Sequence, residues 1–162
     1  MPYTPILATL GYILSPDKTS VLMLHRNSRP DDQHFGKYNG LGGKIEPQED
    51  IVSGMRREIW EESALEVRSM TLRGTINWLG FGKNGESWFV FIFRIDAWQG
   101  IPLTSNEEGT LEWIPLPKLM ALNLWPGDKF FLPLVFNTDS RQFHGVMPYE
   151  NGEMVSWNYQ LI

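Results

Sequence analysis

The sequence predicts an α/β protein in which helices pack on a mixed β-sheet. Apolar and β-branched runs of strand length recur along the chain, and two stretches of helical periodicity, 49–63 and 128–136, interrupt them. The length agrees: 162 residues with no internal repeat make one domain, 1–162, long enough to bury a core without disulfides.

Taken in order, Leu7–Leu14 and Val21–His25 read as strands around a turn at Ser15-Pro16-Asp17. Asn27–Lys37 is polar, holds one proline and reads as a loop. Gly42-Gly43 reads as a turn ahead of the first helix, which runs from about Glu49 to Ser63 with Pro47 just before it. Ile51, Val52, Met55 and Ile59 fall on one arc of that helix, expected to face the core. Thr71–Leu79 and Trp88–Ile95 are aromatic and β-branched, and Gly80 to Gly85 joins them as a hairpin. Leu111–Ile114 is a short strand, and Asp128–Phe136 has helical spacing despite Pro133. Glu150-Asn151-Gly152-Glu153 carries the Asn-Gly pair favoured in two-residue hairpin turns.

Composition narrows the function. There is no cysteine, so neither thiol catalysis nor a disulfide framework is available, and the three histidines (His25, His34, His144) are too scattered to suggest a zinc site. A net charge of −5 without a basic run argues against duplex nucleic acid as a partner. The apolar stretch 6–14 is too short to span a bilayer and lacks a basic leader, so the expectation is a cytoplasmic protein without a membrane partner. Seven tryptophans could support an oligomer interface.

The first helix carries the chemistry. Glu58, Glu61 and Glu62 are spaced i, i+3 and i+4 and are therefore neighbours at the rim of its apolar arc. Three carboxylates this close repel and raise one another's pKa, and a hard dication such as Mg²⁺ removes the conflict while holding substrate phosphates. An isolated acidic cluster of this kind is usually a solvated helix face. Here it stands in a longer pattern: Gly43, five residues, Glu49, seven residues, Arg57-Glu58, Ile59, one residue, Glu61-Glu62, one residue, Ala64-Leu65.

That pattern resembles the box of the Nudix hydrolases, G-x5-E-x7-R-E-U-x-E-E-x-G-U with U aliphatic, and departs from it only at Ala64, where the family has Gly. The family glycine lies at a helix C-terminus, so a left-handed Ala64 would cost on the order of 1 kcal/mol without removing a ligand. Tyr38 to Lys44, Ser105 to Glu108, Trp125 to Asp128 and Phe143 to Gly145 extend the resemblance to the MutT-like branch, and within it to the animal oxidised-purine nucleoside triphosphate diphosphatases.

The resemblance implies an α/β/α sandwich with the mixed sheet between helices. It implies Mg²⁺ (or Mn²⁺) held by Glu58, Glu61 and Glu62, helped by the Gly42 carbonyl and by Glu107, with Arg57 and Glu49 bracing the box as an ion pair. Asn39 and Asp128 would read a purine edge, Trp125 would pack on its face, and Thr9 and Gly43 would line the same site, with Arg26 and Lys44 as phosphate contacts. Gly127 departs from the animal enzymes, which have a second Asp there. The expected reaction is cation-assisted hydrolysis of a small-molecule nucleotide such as 8-oxo-dGTP to the monophosphate and pyrophosphate, with Glu58 or Glu107 as proton acceptor. Other readings stand beside these. Trp125 could be plain core, Asn39 a turn residue and Asp128 a helix N-cap, while His144 fits a structural hydrogen-bonding role. The substrate could instead be ADP-ribose, a dinucleotide or an RNA 5′ end, or the protein could be a non-catalytic nucleotide sensor.

Overall fold

Strand β2 (Ser20–His25) shows why the sheet lies between two layers. Val21 and Met23 point to one face and Leu22 and Leu24 to the other, and all four are buried. A strand apolar on both faces needs cover on both. The computed structural model, which describes residues 1–162, supplies it with helices α1 (Ile51–Ser63) and α2 (Asp128–Phe136) on opposite faces. One core packs Phe131, Leu132 and Val135 of α2 against Tyr12, Val21, Ile76 and Phe143. The other packs Met55 and Ile59 of α1 against Ile13, Leu22, Leu41 and Phe93. The expected α/β/α sandwich is therefore the fold.

The remaining elements are β1 (Ile6–Leu14), β3 (Tyr38–Asn39), β4 (Leu41–Lys44), β5 (Glu66–Trp78), β6 (Trp88–Gln99), β7 (Ser105–Asn106), β8 (Gly109–Pro115), a 3₁₀ turn at Leu116–Ala121, β9 (Phe143–Val146), β10 (Tyr149–Glu150), β11 (Glu153–Met154) and β12 (Asn158–Leu161). The main sheet runs β12-β9-β5-β6-β1-β2-β8-β7, with β3 on β2 and β4 on β1. It is mixed: β1 and β6 are parallel, as are β5 and β9, and the other pairs are antiparallel. The β10–β11 hairpin turns at Asn151 and Gly152, both at positive φ (52° and 79°), as the Asn-Gly pair predicted.

One irregularity in the sheet positions the site. β1 and β2 pair only at Ile13↔Leu22 and Leu14↔Val21. Beyond that they part, and β4 takes the edge of β1 from Ala8 to Gly11 while β3 takes the edge of β2. Residues from the parted strands line a cavity.

The structure corrects four sequence readings. Gly42 and Gly43 lie in strand β4, not in a turn. Glycine is needed for room: a Cβ on Gly42 would sit 2.0 Å from the Thr9 carbonyl oxygen, and one on Gly43 2.6 Å from the Glu58 carboxylate. Helix α1 begins at Ile51, after Asp50, whose Oδ1 accepts from the backbone N–H groups of Val52 (2.9 Å) and Ser53 (2.8 Å). Val52 is exposed rather than core-facing, at the edge of the apolar arc. The central hairpin strands run well past the predicted ends, because β5 and β6 continue pairing to Glu66↔Gln99 through polar residues. At the far end of α1, Ala64 is left-handed (φ 61°, ψ 21°), the conformation for which the family glycine is suited.

Candidate active site

Helix α1 presents its carboxylates around Arg57. The guanidinium donates to Glu49 through Nε (2.6 Å) and Nη2 (2.9 Å), to Glu58 (2.9 Å) and Glu61 (3.2 Å) through Nη1, and to the Lys44 carbonyl (3.2 Å). Glu49 also accepts from the Glu46 backbone N–H at 2.9 Å, so Arg57 and Glu49 tie the helix to the β4–α1 connection. The three helix glutamates differ in environment. Glu61 is exposed, Glu58 is largely covered, and Glu62 has an Oε2 closed to solvent and without a hydrogen-bond partner. Burial raises the pKa of both Glu58 and Glu62, and for Glu62 the charges of Glu108 and then Glu58 add to it. Desolvation thus outweighs the mutual repulsion expected from spacing alone.

The carboxylates border a cleft lined by Gly42, Gly43, Glu46, Arg57, Glu58, Glu61, Glu62, Glu107 and Glu108. Glu107 stands at its rim, its side chain 91% exposed and paired with Arg29 at 3.3 Å. Glu108 is the loop carboxylate whose charge acts on both Glu58 and Glu62. Spacing alone does not distinguish it from its neighbour, because the difference in exposure between the two (32% against 91%) is set by tertiary packing. Arg26 is committed to Asp32 (2.7 Å) and lies 3.7 Å from Glu108, whereas Lys44 lines the cleft with its Nζ 5.7 Å from the Trp88 ring centroid. No three carboxylates converge on one point here. The donor set nevertheless fits a hard dication: carboxylate oxygens dominate, the backbone of Gly42 is beside them, and the orphaned Glu62 oxygen needs a positive partner.

The second cavity, about 180 Å³, opens where β1 and β2 part. Its wall holds Thr9, Leu10, Asn39, Trp78, Phe81, Trp88, Trp125 and Asp128, together with Gln33 and His34. Thr9 is 2% exposed and its hydroxyl has no partner, and the Trp88 indole N–H is likewise unpartnered. Trp125 belongs to the core cluster and also forms a cavity wall. Asp128 opens α2 but makes no capping hydrogen bond, which removes the N-cap alternative. Burial pushes its carboxyl up to about 8, so at neutral pH it is a protonated donor. At Gly127 a Cβ would meet Met147 Sδ at 2.2 Å and the Tyr149 hydroxyl at 2.6 Å, so a side chain there would have to displace both. His144 is held by Thr75 (2.7 Å) and Gln142 (3.0 Å), the structural role expected of it. His34 and Gln33 were not singled out in the sequence, since they sit in an irregular loop with no periodicity to mark them.

Cleft and cavity share three residues, Gly42, Gly43 and Glu62. An acidic helix thus adjoins an aromatic cavity across a glycine strand, in an α/β/α sandwich. The chain belongs to the Nudix family: the NUDIX domain matches residues 5–135. It is 31% identical over 152 residues to the mouse oxidized purine nucleoside triphosphate hydrolase, covering 94% of this chain and 92% of that protein. The zebrafish protein of the same name is 29% identical over 153 residues, with the same coverage. Among solved structures, the MutT protein of Bacillus halodurans superposes with a TM-score of 0.82 at 26% identity, covering 96% of this chain and 97% of that one. With the NUDIX match and these relatives, the site makes the protein a hydrolase of nucleotide phosphoric anhydride bonds. No helix here is long and apolar enough to cross a membrane.

Proposed function

We propose that the protein is a Mg²⁺-dependent nucleoside triphosphate diphosphatase that converts oxidised purine nucleotides such as 8-oxo-dGTP to the monophosphate and pyrophosphate, sanitising the nucleotide pool of the cytoplasm. The observation that carries this is the shared border of the two cavities at Gly42, Gly43 and Glu62, which lets one small molecule place a base among aromatics and phosphates among carboxylates. The names of the mouse and zebrafish relatives support the oxidised purine.

Glu58, Glu61, Glu62 and the Gly42 carbonyl would hold the cation, with a carboxylate from the Glu107-Glu108 loop. When bound, the ion neutralises phosphate charge and lowers the pKa of a water. Arg57 holds Glu58 in place, and Glu58 or Glu107 would accept the proton from the attacking water. Asn39 offers a donor and an acceptor side by side for a purine edge, and protonated Asp128 adds a donor. Trp125 supplies stacking surface, worth about 1–3 kcal/mol per base.

The test is a nucleotide panel with Mg²⁺, read by chromatography, containing 8-oxo-dGTP, dGTP, ADP-ribose, a dinucleotide and capped RNA. Preferred release of pyrophosphate from the oxidised nucleotide is expected. A preference ratio near one removes the sanitising role and leaves the diphosphatase. Glu58→Gln and Glu62→Gln should each abolish turnover without unfolding, and wild-type activity in both would overturn the site.

A further inference from the structure

The Trp125 indole N–H donates to His34 Nδ1 at 2.7 Å. An indole nitrogen only donates, so Nδ1 must be the unprotonated nitrogen and the imidazole proton sits on Nε2. The two rings meet edge-on, with centroids 5.3 Å apart at 80°. Phe81 (4.9 Å, 72°) and Tyr149 (6.1 Å, 82°) also meet the indole edge-on, but these contacts tolerate rotation; the hydrogen bond does not.

The 27–37 loop holds His34 firmly. Its backbone N–H donates to Asp32 Oδ1 (3.0 Å), and its carbonyl accepts from the Lys37 N–H (2.8 Å). Asp32 is in turn clamped by Arg26 (2.7 Å), and Gln33 Nε2 donates to the Phe81 carbonyl at 2.9 Å, tying the same loop to the neighbouring ring. Both Gln33 and His34 line the cavity.

We propose that His34 is a positioning residue for the base: a neutral imidazole with its proton on Nε2 that fixes the plane of Trp125 as a wall of the purine cavity. This rests on the cavity being the base site. The groups facing the imidazole agree with its neutral state. Arg26 from β2 and Lys37 from the loop disfavour a proton and Asp32 favours one, while Asp128 of α2 lines the same cavity. Burial first, and then Arg26, lowers the pKa of His34 to about 4.

Two variants separate positioning from bulk. His34→Asn keeps an acceptor near the position of Nδ1, and His34→Phe keeps a ring but no acceptor. The Trp125 indole N–H resonance, assigned with Trp125→Phe, reads the bond directly, and KM against kcat on the preferred purine triphosphate reads its consequence. The bond lies within the protein, so its full worth, about tenfold in KM, is the most that its loss can cost the base. In His34→Phe the resonance should move upfield and KM rise severalfold, up to about tenfold, with kcat within about twofold, and His34→Asn should restore both. A His34→Phe protein whose indole resonance moves upfield while KM stays at the wild-type value overturns the proposal, as does one whose resonance does not move, or an Asn variant that restores neither. Should the wild-type protein turn over no nucleotide, the function reading fails separately. The Kd of a purine nucleoside monophosphate by calorimetry then takes the place of KM, and the same comparison decides the role of His34.

Discussion

Replacing Asp128 by Asn should change how stability depends on pH, by an amount the structure sets. Asp128 is 7% exposed, and burial holds its carboxyl at about 8 against an ordinary value of 3.8. Between those values the folded protein keeps a proton that the unfolded chain has released, so stability falls as pH rises, by about 1.4 kcal/mol per unit. The whole window is worth at most about 6 kcal/mol. His34 acts in the opposite direction. Its pKa is lowered from 6.5 to about 4, so over that range the unfolded chain holds the extra proton and stability rises with pH. For these two groups the slopes cancel below about pH 6.5, and the loss due to Asp128 emerges between about 6.5 and about 8, worth roughly 2 kcal/mol. The asparagine of the variant keeps shape and a donor but never ionises. Urea unfolding of both proteins at about pH 4.5, 6.5 and 8.5 measures the difference. The variant should gain on wild type steadily with pH and be the more stable protein at the highest of the three. A difference that stays constant with pH would refute the claim that this carboxyl is buried and protonated.

Two further substitutions test the backbone that carries the site. Ala64→Gly relieves a left-handed alanine at the end of α1 and should stabilise by about 1 kcal/mol, raising Tm by about 2–4 °C; a lower Tm in a thermal melt would show that the turn carries no strain. Gly42→Ala places a methyl 2.0 Å from the Thr9 carbonyl oxygen and so must push β4 off β1. It should cost at least about 2 kcal/mol and damage both cavities, since Gly42 borders each, and an unchanged denaturation midpoint would contradict the β1–β4 register.

How much of this was legible in the sequence follows from the range of the interactions. Local periodicity was enough for both helices, for the hairpin of β5 and β6 and for the Asn151-Gly152 turn, because each depends on neighbours within a few residues. The box was legible for the same reason: Glu49, Arg57, Glu58, Glu61 and Glu62 share one helix and its approach, so their spacing already brings Arg57 within reach of Glu49, Glu58 and Glu61. What needed the tertiary structure are contacts across long sequence separation. β9 and β12 are four-residue strands with little pattern of their own, made strands by pairing with β5 and with each other. The glycines at 42 and 43 looked like a turn until Thr9 and Glu58 were seen to occupy the space where their side chains would go. Glu107 and Glu108 both line the cleft beside the β7–β8 turn, and it is Glu108 whose charge acts on Glu58 and Glu62, while His34 meets Trp125 across 91 residues. By itself the sequence determined the fold class and the carboxylate helix, both written in local spacing, and the resemblance of that spacing to the Nudix box supplied the bond type. Tertiary packing alone decided the protonation of Asp128, the tautomer of His34 and the joining of cleft to cavity, because burial and partners set these and both exist only once distant strands have met.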